Sequence, residues 1–80
     1  MPHVIVKMYA GRSEGQKKQL AEAVTEAVTS TLHYGDESVS VVIEDVAPER
    51  WVEDVYKPDI LGNVENIYKK PGYDPMRGGV

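Results

Sequence analysis

The sequence predicts a small α/β (α+β) fold of β-α-β type. Two parallel strands are joined by a long crossover helix, a C-terminal helix follows, and oligomerisation completes the sheet. Three observations lead there. Apolar residues alternate at period two over residues 3–9 and again over residues 38–44. Between them lies a stretch with helical periodicity. The chain has only 80 residues and no cysteine, so a second copy is the common remaining means of covering its apolar surface.

In the first strand, Val4, Val6 and Met8 share one face, and His3, Ile5, Lys7 and Tyr9 the other. Ala10-Gly11-Arg12 forms a turn, and Ser13 with Gln16 fits a capping box. The helix runs over residues 14–32, with Leu20, Val24, Ala27, Val28, Thr31 and Leu32 on its apolar stripe and Lys17, Lys18, Glu22, Glu26 and Thr29 largely off it. Gly35 suits a left-handed C-terminal cap, and His33 complements the helix dipole. In the second strand Val39, Val41 and Ile43 face one way, and Ser40, Val42 and Glu44 the other. A crossover helix of this length makes the strands parallel and the connection right-handed. Pro58 excludes a helix interior, so a second helix is expected over residues 59–70, capped by Asp59 and ended by Pro71-Gly72. Residues 73–80 are expected to be loosely held. The whole of 1–80 reads as a single domain. Two parallel strands are too few for a stable sheet, which again predicts a homo-oligomer.

Composition narrows the function. A net charge of -4 argues against a nucleic-acid partner. No apolar run is long enough for a membrane span, no signal peptide is evident, and a cytoplasmic location is the default. The two histidines show no metal-binding spacing, and no cofactor motif is present.

The most suggestive position is Pro2. Small penultimate residues generally permit removal of the initiator methionine, which would leave Pro2 with a secondary amine. A free α-amino group titrates at about 8. Burial or a nearby cation lowers that value into the range of a general base. Arg12, at the far end of the first strand, stays charged and suits bidentate contact with a carboxylate. Trp51, the sole tryptophan, suits either a core or an apolar site wall.

Met1-Pro2-His3, the strand after it, Gly11-Arg12-Ser13 with Gln16-Lys17, the long helix, the second strand and the ending Lys69-Lys70-Pro71-Gly72-Tyr73 together resemble the 4-oxalocrotonate tautomerase family, in particular its longer-chain PptA-like subgroup. The resemblance spans nearly the whole chain. It implies a tautomerase fold with Pro2 as the catalytic base and Arg12 as a binder of an acidic substrate. It also implies Trp51 in the apolar wall of the site. Ser40 stands where the short-chain enzymes carry a second arginine. A serine donates one neutral hydrogen bond, so a dicarboxylate should be a poorer substrate here. Arg50, beside Trp51, is the candidate to supply the missing charge; a solvated turn position is its other reading.

The activity so implied is enol–keto conversion of 2-oxo acids or arylpyruvate-like enols, with no cofactor and a small-molecule substrate. The subgroup further implies a dimer. Of the five tyrosines, Tyr73 in the Pro-Gly-Tyr ending is the best candidate to reach across an oligomer contact. Two other readings stand beside it. One is a hydratase or dehalogenase with Glu44 activating water, and the other a non-catalytic β-α-β interaction module. His3 reads first as a packing or interface residue and second as a substrate contact.

Overall fold

The computed structural model describes residues 1–77. The chain divides into two compact units, Met1–Asp45 and Val46–Val80.

The first unit is built on a two-stranded sheet. Strand β1 is His3–Tyr9 and strand β2 is Ser40–Val46, whose last residue opens the second unit. The Ser40 N–H donates to the Pro2 carbonyl at 3.2 Å, so the two strand starts lie side by side, as parallel pairing requires. That register sets His3 opposite Ser40, Ile5 opposite Val42 and Lys7 opposite Glu44. β2 begins two residues later than the alternation suggested, because Asp36–Ser38 form a 3₁₀ turn in which the Val39 N–H bonds back to the Asp36 carbonyl.

Helix α1 spans Glu14–Leu32, as expected, and its capping box forms in full. The Ser13 hydroxyl accepts from the Gln16 N–H at 3.1 Å, and the Gln16 side chain accepts from the Ser13 N–H at 3.1 Å. Gly11, at φ 127°, makes the turn ahead of the cap in a conformation that side-chain-bearing residues rarely adopt. At the other end the expectation fails. His33, not Gly35, takes the left-handed cap position, with φ 59° and ψ 40°, and Gly35 is extended. The left-handed cap falls two residues before the glycine, and histidine tolerates this region better than most residues.

The covered stripe of α1 is also rotated from the expected one. Lys17, Leu20, Ala21, Val24, Thr25, Val28 and Thr29 are half-buried, whereas Ala27, Thr31 and Leu32 are exposed. Lys17 explains the rotation at the N-terminal end. Its ammonium donates to Asp45 at 2.6 Å and lies 3.7 Å from Glu14, which carries its aliphatic stem along the sheet. The hydrogen bond to Asp45 is the main cause that raises the Lys17 pKa. Asp45, itself exposed, thereby ties α1 to the end of β2.

The second unit departs further from expectation. Its helical segment begins at Val52 rather than residue 59, and it is a π-helix, Val52–Ile60, that runs through Pro58. Proline has no N–H, and in an α-helix its ring collides with a preceding carbonyl; the wider π-turn relieves that collision. Two short 3₁₀ pieces follow over Leu61–Asn66, joined at a kink where Asn63 leaves helical geometry (φ -139°, ψ 26°), and Ile67 returns to extended backbone. Gly62 fits this tight passage, since a Cβ there would lie 3.2 Å from the Lys57 carbonyl oxygen. Tyr73 through Pro75 are half-buried instead of loosely held, and the last three residues of that predicted tail lie outside the described residues.

Among the described residues only Val55 and Tyr56 are buried, at 5% and 6% exposure. Ile5, Tyr9 and Val42 stand exposed on one face of the sheet. No helix among the described residues is long and apolar enough to cross a membrane.

The capping box predicts that Ser13→Ala destabilises the protein by about 1 kcal/mol. Urea unfolding should show a lower midpoint with an unchanged slope. A midpoint that does not move would mean that the box does not hold the start of α1.

Candidate active site

The sheet end that carries the chain start gathers three polar groups. Pro2 is half-buried immediately ahead of β1, with its carbonyl tied to the Ser40 N–H. This leaves the proline nitrogen pointing back along the chain toward Met1, whose side chain is 90% exposed. Next along the strand, the His3 ring places Nδ1 2.6 Å from the Ser40 hydroxyl oxygen. His3 lies on the opposite face from Val4, as the alternation requires, but its partner across the sheet was not evident from the sequence. Only the register sets that pairing, and a shift of one residue would have turned Ser40 away.

Arg12 does not join this group within one chain. It is exposed in the turn beyond the far end of β1, and seven strand residues span roughly 23 Å. Glu44 lies on the same sheet face as Ser40 but four residues, roughly 13 Å, further along.

Arg50 and Trp51 belong to the second unit, where Pro48–Arg50 form a 3₁₀ turn with Pro48 in the first helical position. The Arg50 guanidinium engages Asp54 through two nitrogens, at 2.7 and 3.3 Å, so its charge is already matched by a carboxylate. That hydrogen-bonded pairing raises the Arg50 pKa.

Trp51 is half-buried and donates its indole N–H to the Tyr73 hydroxyl at 3.0 Å. Tyr73 in turn packs against Tyr56, with ring centroids 5.9 Å apart and a 43° tilt. The Tyr56 hydroxyl donates to Asp74 at 3.4 Å. Tyr73, expected to bridge subunits, is thus engaged inside its own unit. Burial, and after it the Asp74 carboxylate, push the Tyr56 phenol above its ordinary value. A separate hollow in this unit is bordered by Tyr56, Ile60, Leu61, Val64, Ile67 and Tyr73 among others; none of Pro2, Arg12, Ser40, Arg50 and Trp51 lines it.

The β-α-β unit has the fold of 4-oxalocrotonate tautomerase homologues. The chain superposes on TomN, a homologue of that enzyme from the tomaymycin biosynthetic pathway, with a TM-score of 0.61 and 40% identity, covering 62% of this chain and 77% of TomN. The model of the family described as tautomerase enzyme matches residues 2–59, and the chain belongs to that family of enzymes. Its relatives include a probable tautomerase of Xylella fastidiosa, 41% identical over 95% of this chain and 93% of the relative. They also include the tautomerase PptA of Cronobacter sakazakii, 33% identical over 92% of this chain and 99% of the relative. The PptA-like resemblance seen in the sequence therefore holds.

The aromatic cluster predicts a defined alkaline limit. Tyr56 has a raised folded-state pKa, so the fold favours its protonated form. That stabilisation is complete below the ordinary value of 10.0 and is lost as pH rises through the higher folded value. Lys17, raised from 10.5, acts with the same sign. Urea midpoints measured between pH 8 and 11 should fall with pH in the wild type and fall less steeply in Tyr56→Phe. Equal slopes would exclude Tyr56 as a source of the loss.

Proposed function

We propose that the chain is a keto–enol tautomerase that uses the amine of Pro2, uncovered by removal of Met1, as a general base on enols of 2-oxo acids and arylpyruvates. The observation that carries this reading is Pro2 itself. In a member of the tautomerase family, it stands half-buried at the head of β1, with its carbonyl fixed to the start of β2.

The chemistry is a proton shift that consumes and releases nothing. The Pro2 nitrogen removes the enol hydroxyl proton, and the oxygen lone pair forms the carbonyl. The former C=C pair takes a proton from the prolinium at carbon. Charge builds on the enol oxygen along the way, so a donor aimed at it lowers the barrier. Ser40, beside Pro2, is that donor. It offers a neutral hydrogen bond where the short-chain relatives carry arginine, and this favours monocarboxylic substrates. Burial of the amine keeps it neutral and basic near pH 7. Arg50, matched by Asp54, is a less suitable anion anchor than Arg12.

Arg12 binds the substrate carboxylate from a second copy of the chain, because within one chain it lies a strand length away from Pro2. The working unit is a homodimer. In support, only two described residues are buried and one sheet face is left with exposed Ile5, Tyr9 and Val42. The family match runs across residues 45 and 46, which supports reading 1–80 as one tautomerase domain. The distance of Glu44 from the Pro2 end disfavours hydration, so tautomerisation is the function the geometry supports best.

In protein whose N-terminus is verified as Pro2, ketonisation of phenylenolpyruvate should be measurable. Pro2→Ala should lower kcat/KM by about 10²-fold, and protein retaining Met1 should be at least as impaired. Equal rates in all three would remove proline from the mechanism. Sedimentation equilibrium should give a dimer; a stable hexamer or a folded monomer would contradict the assembly.

A further inference from the structure

We infer that His3 is a positioning residue for the reaction: its ring determines whether the Ser40 hydroxyl meets the substrate as a donor or as an acceptor. This rests on the tautomerase reading above and adds the group that controls the donor. The Nδ1–Oγ separation of 2.6 Å is a strong hydrogen bond between neighbours held in register by the Ser40 N–H bond to the Pro2 carbonyl.

A hydroxyl has one proton to give. When Nδ1 carries no proton, the Ser40 O–H donates to it, and the substrate meets only an oxygen lone pair. When Nδ1 carries a proton, it donates to Oγ, and the serine proton turns outward toward the developing oxyanion. In the imidazolium the N–H bond is charge-assisted and polarises the hydroxyl, which strengthens its outward donation. The positive charge absent at position 40 is in this way restored from position 3, one hydrogen bond removed from the substrate.

Other charges are distant along the strands. On the same sheet face, Lys7 and Glu44 lie opposite one another four residues, roughly 13 Å, further along each strand, and Tyr9 lies beyond. Asp36 and Glu37 stand in the turn that leads into β2. Helix α1 packs on the other face. Besides the Pro2 amine, His3 is therefore the ionisable group in direct contact with Ser40 at this sheet end.

The test uses the full-length, Met1-processed protein. Side-chain ¹⁵N NMR should show the His3 ring nitrogens shifted between wild type and Ser40→Ala, with those of His33 unchanged as an internal control. His3→Ala and Ser40→Ala should each lower kcat about tenfold, and the double variant should lose no more than either single one. His3→Asn, which places an amide at the bond position of Nδ1, should recover most of the activity. Its kcat should also depend less steeply on pH than that of the wild type. Additive losses, or an unchanged pH dependence in His3→Asn, would overturn the inference while leaving Pro2 as the base. If Pro2→Ala matches wild type, the tautomerase reading fails with it. Identical His3 resonances in wild type and Ser40→Ala would disprove the contact itself.

Discussion

One backbone hydrogen bond, from the Ser40 N–H to the Pro2 carbonyl, fixes the start of the chain to the sheet. Chain starts ordinarily fray unless something ties them down. Here the tie is a strand that arrives from the other side of a nineteen-residue helix, α1, about 28 Å long. The helix carries the chain back over a length comparable to β1, so β2 starts where β1 starts. The parallel arrangement then brings Pro2, His3 and Ser40 together and sends Arg12 to the opposite end. The same connection keeps Arg12 away from Pro2 within one chain, since a parallel pair cannot place a turn residue beside its own strand start.

The second unit solves a different problem. With few residues left, it gathers aromatic rings instead of forming a regular amphipathic helix. Trp51, Tyr56 and Tyr73 each combine apolar area with a polar tip, and each tip is satisfied by a neighbour or a carboxylate. The π-turn around Pro58 belongs to this arrangement. It lets the backbone continue through a residue that would break an α-helix. The buried pair Val55 and Tyr56 lies within that same π-helix.

Local chemistry made much of the first unit legible. The bounds of α1 and its capping box rest on residues three apart, and β1 on strict alternation, so both could be read from the chain. What could not be read depends on choices among near-equal local options. His33 and Gly35 compete to end α1, and the cap falls on the histidine. The 3₁₀ turn Asp36–Ser38 takes up residues that alternation had assigned to β2. Pro58 seemed to forbid a helix only because the α-helix was the reference. At the site, the neighbourhood of Pro2 and Ser40 followed from parallel strands, and Pro2, Arg12, Ser40 and Trp51 were named through the resemblance. The His3–Ser40 bond needs the register to the single residue, and no local pattern encodes that.

Pro2 joins the sheet through its carbonyl alone. Its nitrogen has no hydrogen to offer while Met1 is attached, so the fold never relies on it. Cleaving the Met1–Pro2 bond therefore turns an inert amide into an ionisable amine without disturbing a single ladder contact. On the reading proposed above, maturation is silent in the strand ladder: removing Met1 changes the nitrogen and leaves the bond between the Pro2 carbonyl and the Ser40 N–H in place. The activity of a preparation would then follow how completely Met1 has been removed, and the ladder itself offers no checkpoint that would reject the uncut form.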